Sequence, residues 1–285
     1  MEISSTNVLS ILTRTSGFLT TVSSHSLQPY RGCALGNSLC GVGCYVRHNA
    51  HVTRGQPWGS FVEARRNAAE TYVAQYETER DWARARRGRF GIFLSSSTEP
   101  FQPIERRAGI TRRVLEAMVE RPPDFLILQS HSHHAADYLD LYPALARACD
   151  LRFHVSIESD RDELPGLARS ASPVEKRIAA AATLRSAGLR VVVTVSPLLP
   201  IDDPHRFFAR LMDVCNAVVI DHFIGGDGSP NGSRTLRTAL PAGMAAIDPA
   251  SLTVEYRDRI IEIARQHFPG RVGVNIDGFA GRMLP

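Results

Sequence analysis

Three of the chain's five cysteines lie within a dozen residues, in the stretch Tyr30-Arg-Gly-Cys33-Ala-Leu-Gly-Asn-Ser-Leu-Cys40-Gly-Val-Gly-Cys44-Tyr45. Thiolates are the usual ligands of a cubane iron–sulfur cluster, which contains four irons. A cluster held by only three cysteines leaves one iron open to a small molecule. Gly32, Gly36, Gly41 and Gly43 let the backbone wrap closely around such a group, because glycine reaches dihedrals that other residues avoid. Two other chemistries compete for the loop. A structural zinc site takes four ligands, and His48 and His51 could complete one. A disulfide framework fits less well, since the cysteine count is odd and Met1–Ser16 lacks the basic start and apolar block of a secretory signal. Cys149 and Cys215 stand alone and read as small core residues. The iron–sulfur reading is the favoured one.

Two further clusters need weighing. In Gln129-Ser-His-Ser-His-His134, His131 and His133 are two residues apart and share one side of an extended strand end. They could bind a second metal or a substrate anion. Ordinary hydrogen-bonding histidines are favoured over that, for them and for His134, because the sequence fixes no acidic partner. Arg80, Arg84, Arg86, Arg87 and Arg89 crowd into Glu77–Phe90. A solvated helix face is favoured there over a nucleic-acid or phosphate surface.

The elements that must position these groups alternate along the chain. Pro57–Arg87 reads as one or two polar helices anchored by Trp58, Phe61, Tyr72, Tyr76 and Trp82. Short apolar runs follow at Phe90–Leu94, Asp124–Leu128, Arg152–Ile157, Arg190–Val195 and Ala217–Ile220. Between them lie helical stretches at Arg106–Glu120, Asp137–Cys149, Val174–Ala187 and Pro204–Val214. A strand near Ser26–Tyr30 feeds the cysteine loop, and the tail adds a helix at Val254–His267 and a strand-like Val272–Ile276. Gly225–Gly232 reads as a flexible loop near the mouth.

Buried strands alternating with amphipathic helices are the signature of βαβ units on a parallel sheet. Five or six units are too few for a closed eight-stranded barrel. Ligands of such sheets gather at the carboxyl ends of the strands. Those ends here carry the cysteine loop, Ser95–Glu99, Gln129–His134, Ser156–Glu158, Ser196 and Asp221-His222. The formal charge is a modest +4, and no segment approaches the length of a membrane span. A soluble, cytoplasmic protein is expected.

From about Ile11 to Pro200 the chain resembles radical S-adenosylmethionine (SAM) proteins, specifically the spore photoproduct lyase-like branch. The resemblance is carried by Leu12–Gly17, Pro29–Cys33, Cys44-Tyr45, Ser97–Glu105, Thr111–Glu116, Val155–Ile157, Ser172–Arg177 and Leu184–Gly188 leading to Pro197–Pro200. It implies a partial (β/α)6 barrel over a single domain, residues 1–285, with 225–285 as a C-terminal extension. It also implies a [4Fe–4S] cluster on Cys33, Cys40 and Cys44, with SAM on the open iron. The implied activity is reductive cleavage of SAM to methionine and a 5′-deoxyadenosyl radical that abstracts hydrogen from substrate. An external electron donor of the flavodoxin or ferredoxin type is implied as well. Among matching positions, Tyr45 resembles the aromatic beside SAM, and Ser97, Thr98 and Glu99 resemble the region receiving the methionine amino group. Ser156 and Glu158 look placed for ribose hydroxyls, and Arg177 for a carboxylate or other anion.

The chain also departs from that branch. The usual cysteine pattern has three residues and then two between ligands, and here there are six and three. Ser97 stands where the lyase has a radical-quenching cysteine, and a hydroxyl does not donate a hydrogen atom as a thiol does. Gln129-Ser130-His131 replaces Thr-Lys-Ser after the third strand. Repair of DNA photoproducts is therefore not expected, and the substrate is open. The alternatives are a metal-stabilised nucleic-acid-binding module without catalysis, motivated by the arginine cluster, and a nucleic-acid repair lyase.

Overall fold

A computed structural model describes residues 1–285. Its strands, in chain order, are β1 (Glu2–Thr6), β2 (Leu12–Arg14), β3 (His25–Leu27), β4 (Tyr30–Gly32), β5 (Phe61–Arg65) and β6 (Gly91–Leu94). They continue with β7 (Phe125–Ser130), β8 (Asp150–Ser156), β9 (Arg190–Val195), β10 (Ala217–Ile220) and β11 (Val272–Val274). The main sheet has the order β11-β10-β9-β8-β7-β6-β3-β2. The run from β3 through β10 is parallel, β11 joins it in parallel, and β2 caps the other edge antiparallel. This is the open parallel sheet of a partial (β/α)6 barrel, extended by one strand from the C-terminal segment.

Alternation sorts the strand residues between two faces, because successive side chains point oppositely. Ile92, Leu94, Leu126, Leu128, Phe153, Val155, Val191, Val193, Val218 and Ile220 join the main core under the helices. Phe93, Phe125, Ile127, Val192, Ala217 and Val219 form a second apolar cluster on the inner face, together with Phe279 from the helix Asn275–Phe279. The two edges of the open sheet do not pair. Phe18 and Phe279 meet across them edge to face at 6.0 Å, with Leu19 and Ile276 packed alongside.

Several local readings change. The strand-like Val272–Ile276 stops at Val274, where the helix Asn275–Phe279 begins, and the helix expected over Asp137–Cys149 is confined to Tyr142–Ala148 after a 3-10 turn at His133–Tyr138. Phe61–Arg65, taken from sequence as part of a helix, is a strand between β1 and β4 in a small second sheet. Phe61, Val62 and Ala64 are its buried residues, and the helix that follows runs Ala68–Arg87. The single strand expected at Ser26–Tyr30 divides into β3 and β4, which lie in different sheets. Pro29 sits at the break, where it cannot donate to a ladder. The helix expected over Arg106–Glu120 is interrupted at Gly109, whose φ of 59° lies in the left-handed region. No helix is long and apolar enough to cross a membrane.

The arginines of Ala68–Arg87 are largely engaged. Arg80 pairs with Glu77 and Asp81, Arg84 with Asp124, and Arg87 lies over the Trp82 ring. This is the pattern of a solvated helix face.

Candidate functional site

One cavity of about 350 Å³ opens at the carboxyl ends of the parallel strands, and Cys33, Cys40 and Cys44 all line it. The loop that carries them leaves β4 and returns through β5. Cys40 rides the short helix Leu39–Val42, and Cys44 precedes the tight turn Tyr45–His48. The loop folds tightly on itself: a Cβ on Gly41 would lie 2.2 Å from the Gly36 carbonyl oxygen. Only glycine permits that approach.

All three cysteines are free thiols. Burial pushes the Cys33 and Cys44 thiols up to about 12 and Cys40 higher still, and each is raised further by a neighbouring cysteine of the set. Thiols held this way are poor free nucleophiles, and a metal centre must displace their protons to bind. No three cysteine, histidine or acidic side chains gather around a point as ligands of a single ion. His48 and His51 are exposed and line no part of the cavity. Three unlinked thiols on one wall, with no histidine completing a four-ligand set, fit a group that takes three thiolates.

The rest of the wall is polar near the thiols. Tyr45, Ser97, Thr98 and Glu99 all line the cavity. The Tyr45 hydroxyl donates to the Ser96 carbonyl, and Thr98 Oγ1 donates to Gln28 Oε1 at 3.3 Å. Glu99 is 3% exposed and accepts from Ser130 Oγ (2.7 Å) and the Phe101 and His131 N–H groups (3.0 and 2.8 Å). Burial raises its carboxyl, and the charge on His131 and these donors offset part of the rise.

Behind this wall stands a chain of three side chains. Arg177 Nη1 donates to Glu158 Oε2 at 2.6 Å, and His131 Nδ1 meets Glu158 Oε1 at 2.7 Å. His131 lines the cavity, whereas Glu158 and Arg177 do not. Burial opposes ionisation of Glu158, but the Arg177 charge and the His131 contact hold its carboxyl well below the usual range. Ser156 is fully buried among the inner-face polar residues, bonded to Thr194 Oγ1 at 3.0 Å and lying 3.5 Å from Gln129 Nε2. His133 and His134 turn away to Ser172 and Asp137 and line no part of the cavity.

Several lining residues have no distinctive local sequence signal. Phe18, Phe93, Phe279, Asp227 and Thr235 complete the wall. Strand alternation marks Phe93 as inward-facing, but Phe279 reaches the cavity only through the fold of the C-terminal segment. Three buried oxygens on this wall have no hydrogen-bond partner: Ser95 Oγ, Gln129 Oε1 and Asp221 Oδ1. Buried polar atoms are normally paired, so their concentration here points to a polar ligand.

Solved structures superpose on nearly the whole chain. A spore photoproduct lyase variant with bound AdoMet and dinucleoside spore photoproduct covers 96% of this chain and 81% of its own, at 15% identity and a TM-score of 0.61. The lyase complexed with dinucleoside spore photoproduct matches over the same shares, at 14% identity and a TM-score of 0.61. The fold is that of spore photoproduct lyase. The chain matches no family model and no curated protein sequence. In this lyase fold the cysteine loop and the polar wall share one cavity at the carboxyl ends of the strands, as expected of parallel α/β sheets.

Proposed function

We propose that this chain is a radical SAM enzyme in which Cys33, Cys40 and Cys44 hold a [4Fe–4S] cluster, with SAM bound at the iron they leave open. The observation carrying this reading is three unlinked thiols on one cavity wall of the lyase fold. Bound there, the cluster and SAM supply reductive cleavage to methionine and a 5′-deoxyadenosyl radical that takes hydrogen from a substrate. The chain's own residues bind, orient and shield. Tyr45 flanks SAM at the mouth, where it is 41% exposed. Ser97, Thr98 and Glu99 receive the methionine amino group, for which a buried carboxylate is chemically suited. Ser156 and Glu158 serve the ribose indirectly, since neither lines the cavity: Ser156 through Gln129 and Glu158 through the His131 imidazole that it orients. Arg177 keeps Glu158 ionised without touching the ligand itself. A flavodoxin- or ferredoxin-type protein supplies the electron, and catalysis takes place in the cytoplasm.

The domain assignment follows the same reading: residues 1–285 act as one partial-barrel unit, with 225–285 as an extension that contributes β11 and Phe279. Purification and reconstitution without oxygen, with iron and sulfide analysis, tests the proposal. The expected result is a brown protein that releases 5′-deoxyadenosine from SAM on reduction. Stoichiometric zinc with no iron-dependent absorbance would reject it in favour of a non-catalytic metal-stabilised module.

Repair of nucleic acid is the second reading, because the similar structures hold a dinucleoside spore photoproduct. Ser97 lacks the thiol that such chemistry uses, and no lysine or arginine lines the cavity. Irradiated DNA incubated with the reduced enzyme should therefore retain its photoproducts. Any DNA binding should be nonspecific and fade steeply with salt.

A further inference from the structure

The charge of the cavity wall is one-sided. Glu99, Asp221 and Asp227 line it, and no lysine or arginine does. Of its two imidazoles, His131 is bonded to Glu158 through Nδ1 and reserved for SAM in the proposed reading, and His222 is bonded to the Ser251 carbonyl through Nε2 and the Ile224 N–H through Nδ1. Ligands carrying phosphate or carboxylate groups are recognised by cations and aligned N–H donors. Beyond the open iron on which the proposed SAM would sit, the wall offers an anion no lysine or arginine.

The three carboxylates differ in what they still lack. Glu99 accepts three hydrogen bonds within the protein. Asp227 accepts from the Ser229 N–H at 2.8 Å and the Thr235 N–H at 2.7 Å. Asp221 is 4% exposed and receives only the Ser196 hydroxyl, at 3.0 Å on Oδ2, while Oδ1 has no partner. Arg257, whose charge favours its ionised form, spends its guanidinium on Asp258 instead. A buried carboxylate without a cation or a full set of donors is costly. Burial accordingly lifts its pKa to about 6. A ligand that brings an N–H⁺ group removes the deficit.

Phenylalanine rings line the cavity as well. Phe93 and Phe279 are buried in the inner-face cluster, and Phe18 stands at the rim against Phe279. The unpartnered Ser95 hydroxyl, one residue past β6 on a backbone with φ of 68°, also lines the cavity.

Resting on the radical SAM reading for its chemistry, we infer that this cavity takes a small aromatic substrate bearing a basic amine, with the ammonium on Asp221 and the ring against Phe93 and Phe279. The test uses three probes of one size, 2-phenylethylamine, 2-phenylethanol and phenylacetate, titrated calorimetrically into the reconstituted protein with SAM present. At about pH 8, where Asp221 is ionised and the amine protonated, the amine should bind about tenfold or more tightly than the carboxylate, with the alcohol between. Asp221→Asn should reduce the amine-to-alcohol ratio to about one while leaving SAM affinity unchanged. The ranking in the unmutated protein needs no variant to fold. Equal affinities, no measurable amine binding, tighter binding of phenylacetate or of a thymidine dinucleotide, or an amine preference that survives in Asp221→Asn would each overturn the inference. Iron content and SAM cleavage on the same preparation judge the underlying reading separately. Protein that cleaves SAM but ignores the amine rejects the subsite alone. Protein that selects the amine but never cleaves SAM rejects the radical chemistry alone.

Discussion

The ends of β8 and β10 each lead into a buried carboxylate, and the two are treated oppositely. Glu158, two residues past β8, is 5% exposed and closes an ion pair with Arg177 and a contact with His131. Asp221, one residue past β10, is 4% exposed and has one hydroxyl for company. Burial disfavours the charged form of both, yet Glu158 is held well below the usual carboxylate range and Asp221 is pushed up to about 6. The difference lies entirely in compensation. A carboxylate whose charge is answered inside the protein orients its neighbours. One left unanswered beside a cavity is suited to receive a ligand's charge.

The largest expected effect falls on the thiol side of the same cavity. Cys33→Ala, Cys40→Ala and Cys44→Ala should each abolish or nearly abolish iron loading, while Cys149→Ala and Cys215→Ala should load as the unmutated chain does. Iron and acid-labile sulfide per protein decide this, and full loading of Cys33→Ala would remove the long-spaced cysteine from the ligand set.

Next comes the compensated carboxylate. Arg177→Ala leaves Glu158 buried and charged, and breaking such a pair costs about 3–5 kcal/mol. Urea denaturation near neutral pH should show that loss. Because the folded pKa of Glu158 is depressed, its contribution is complete above the unfolded-state value of about 4 and is lost as pH falls from there toward the folded value. The gap between Arg177→Ala and the unmutated protein should therefore narrow in acid.

The uncompensated carboxylate should behave in the opposite sense. The folded pKa of Asp221 exceeds its unfolded value of about 4, so ionisation costs stability as pH rises through the interval between them. Asp221→Asn should match the unmutated protein near pH 4 and exceed it by roughly 3 kcal/mol near pH 8. Denaturation midpoints across pH check the sign, and a destabilised variant at high pH would mean that the charge is answered after all.

The smallest effect belongs to Ser156→Ala, which removes one hydrogen-bonding group from the inner face. SAM binding should weaken by about 0.5–1.5 kcal/mol with iron content unchanged. Equilibrium dialysis with SAM on loaded protein measures it, and unaltered affinity would confine Ser156 to its bond with Thr194.

Much of the frame was legible in the sequence because its signals are local. Arg190–Val195, Ala217–Ile220 and Val254–His267 form over the residues their patterns mark. The cysteine loop announces itself through glycine and sulfur alone. Phe61–Arg65 was not legible as a strand, since its pairing partners lie at Glu2–Thr6 and Tyr30–Gly32, far off in the chain. The contrast between Glu158 and Asp221 was equally hidden. Both read as acids at strand ends, and what separates them is an arginine 19 residues away that reaches one of them. No comparable residue reaches Asp221 Oδ1.

The unpaired edges of the main sheet have a mechanical consequence. Elsewhere around the barrel, neighbouring strands are stitched by main-chain hydrogen bonds, and prising them apart breaks a whole ladder. Between the Gly17–Thr21 turn and the Asn275–Phe279 helix the wall is fastened only by grease: Phe18 and Leu19 on one side, Ile276 and Phe279 on the other. An edge-to-face ring pair is worth about 1 kcal/mol beyond the area it buries. The seam is thus the stretch of barrel wall that no main-chain ladder closes. Phe279 is both a clasp of that seam and a wall of the cavity, so packing at the seam and packing around a guest share one ring.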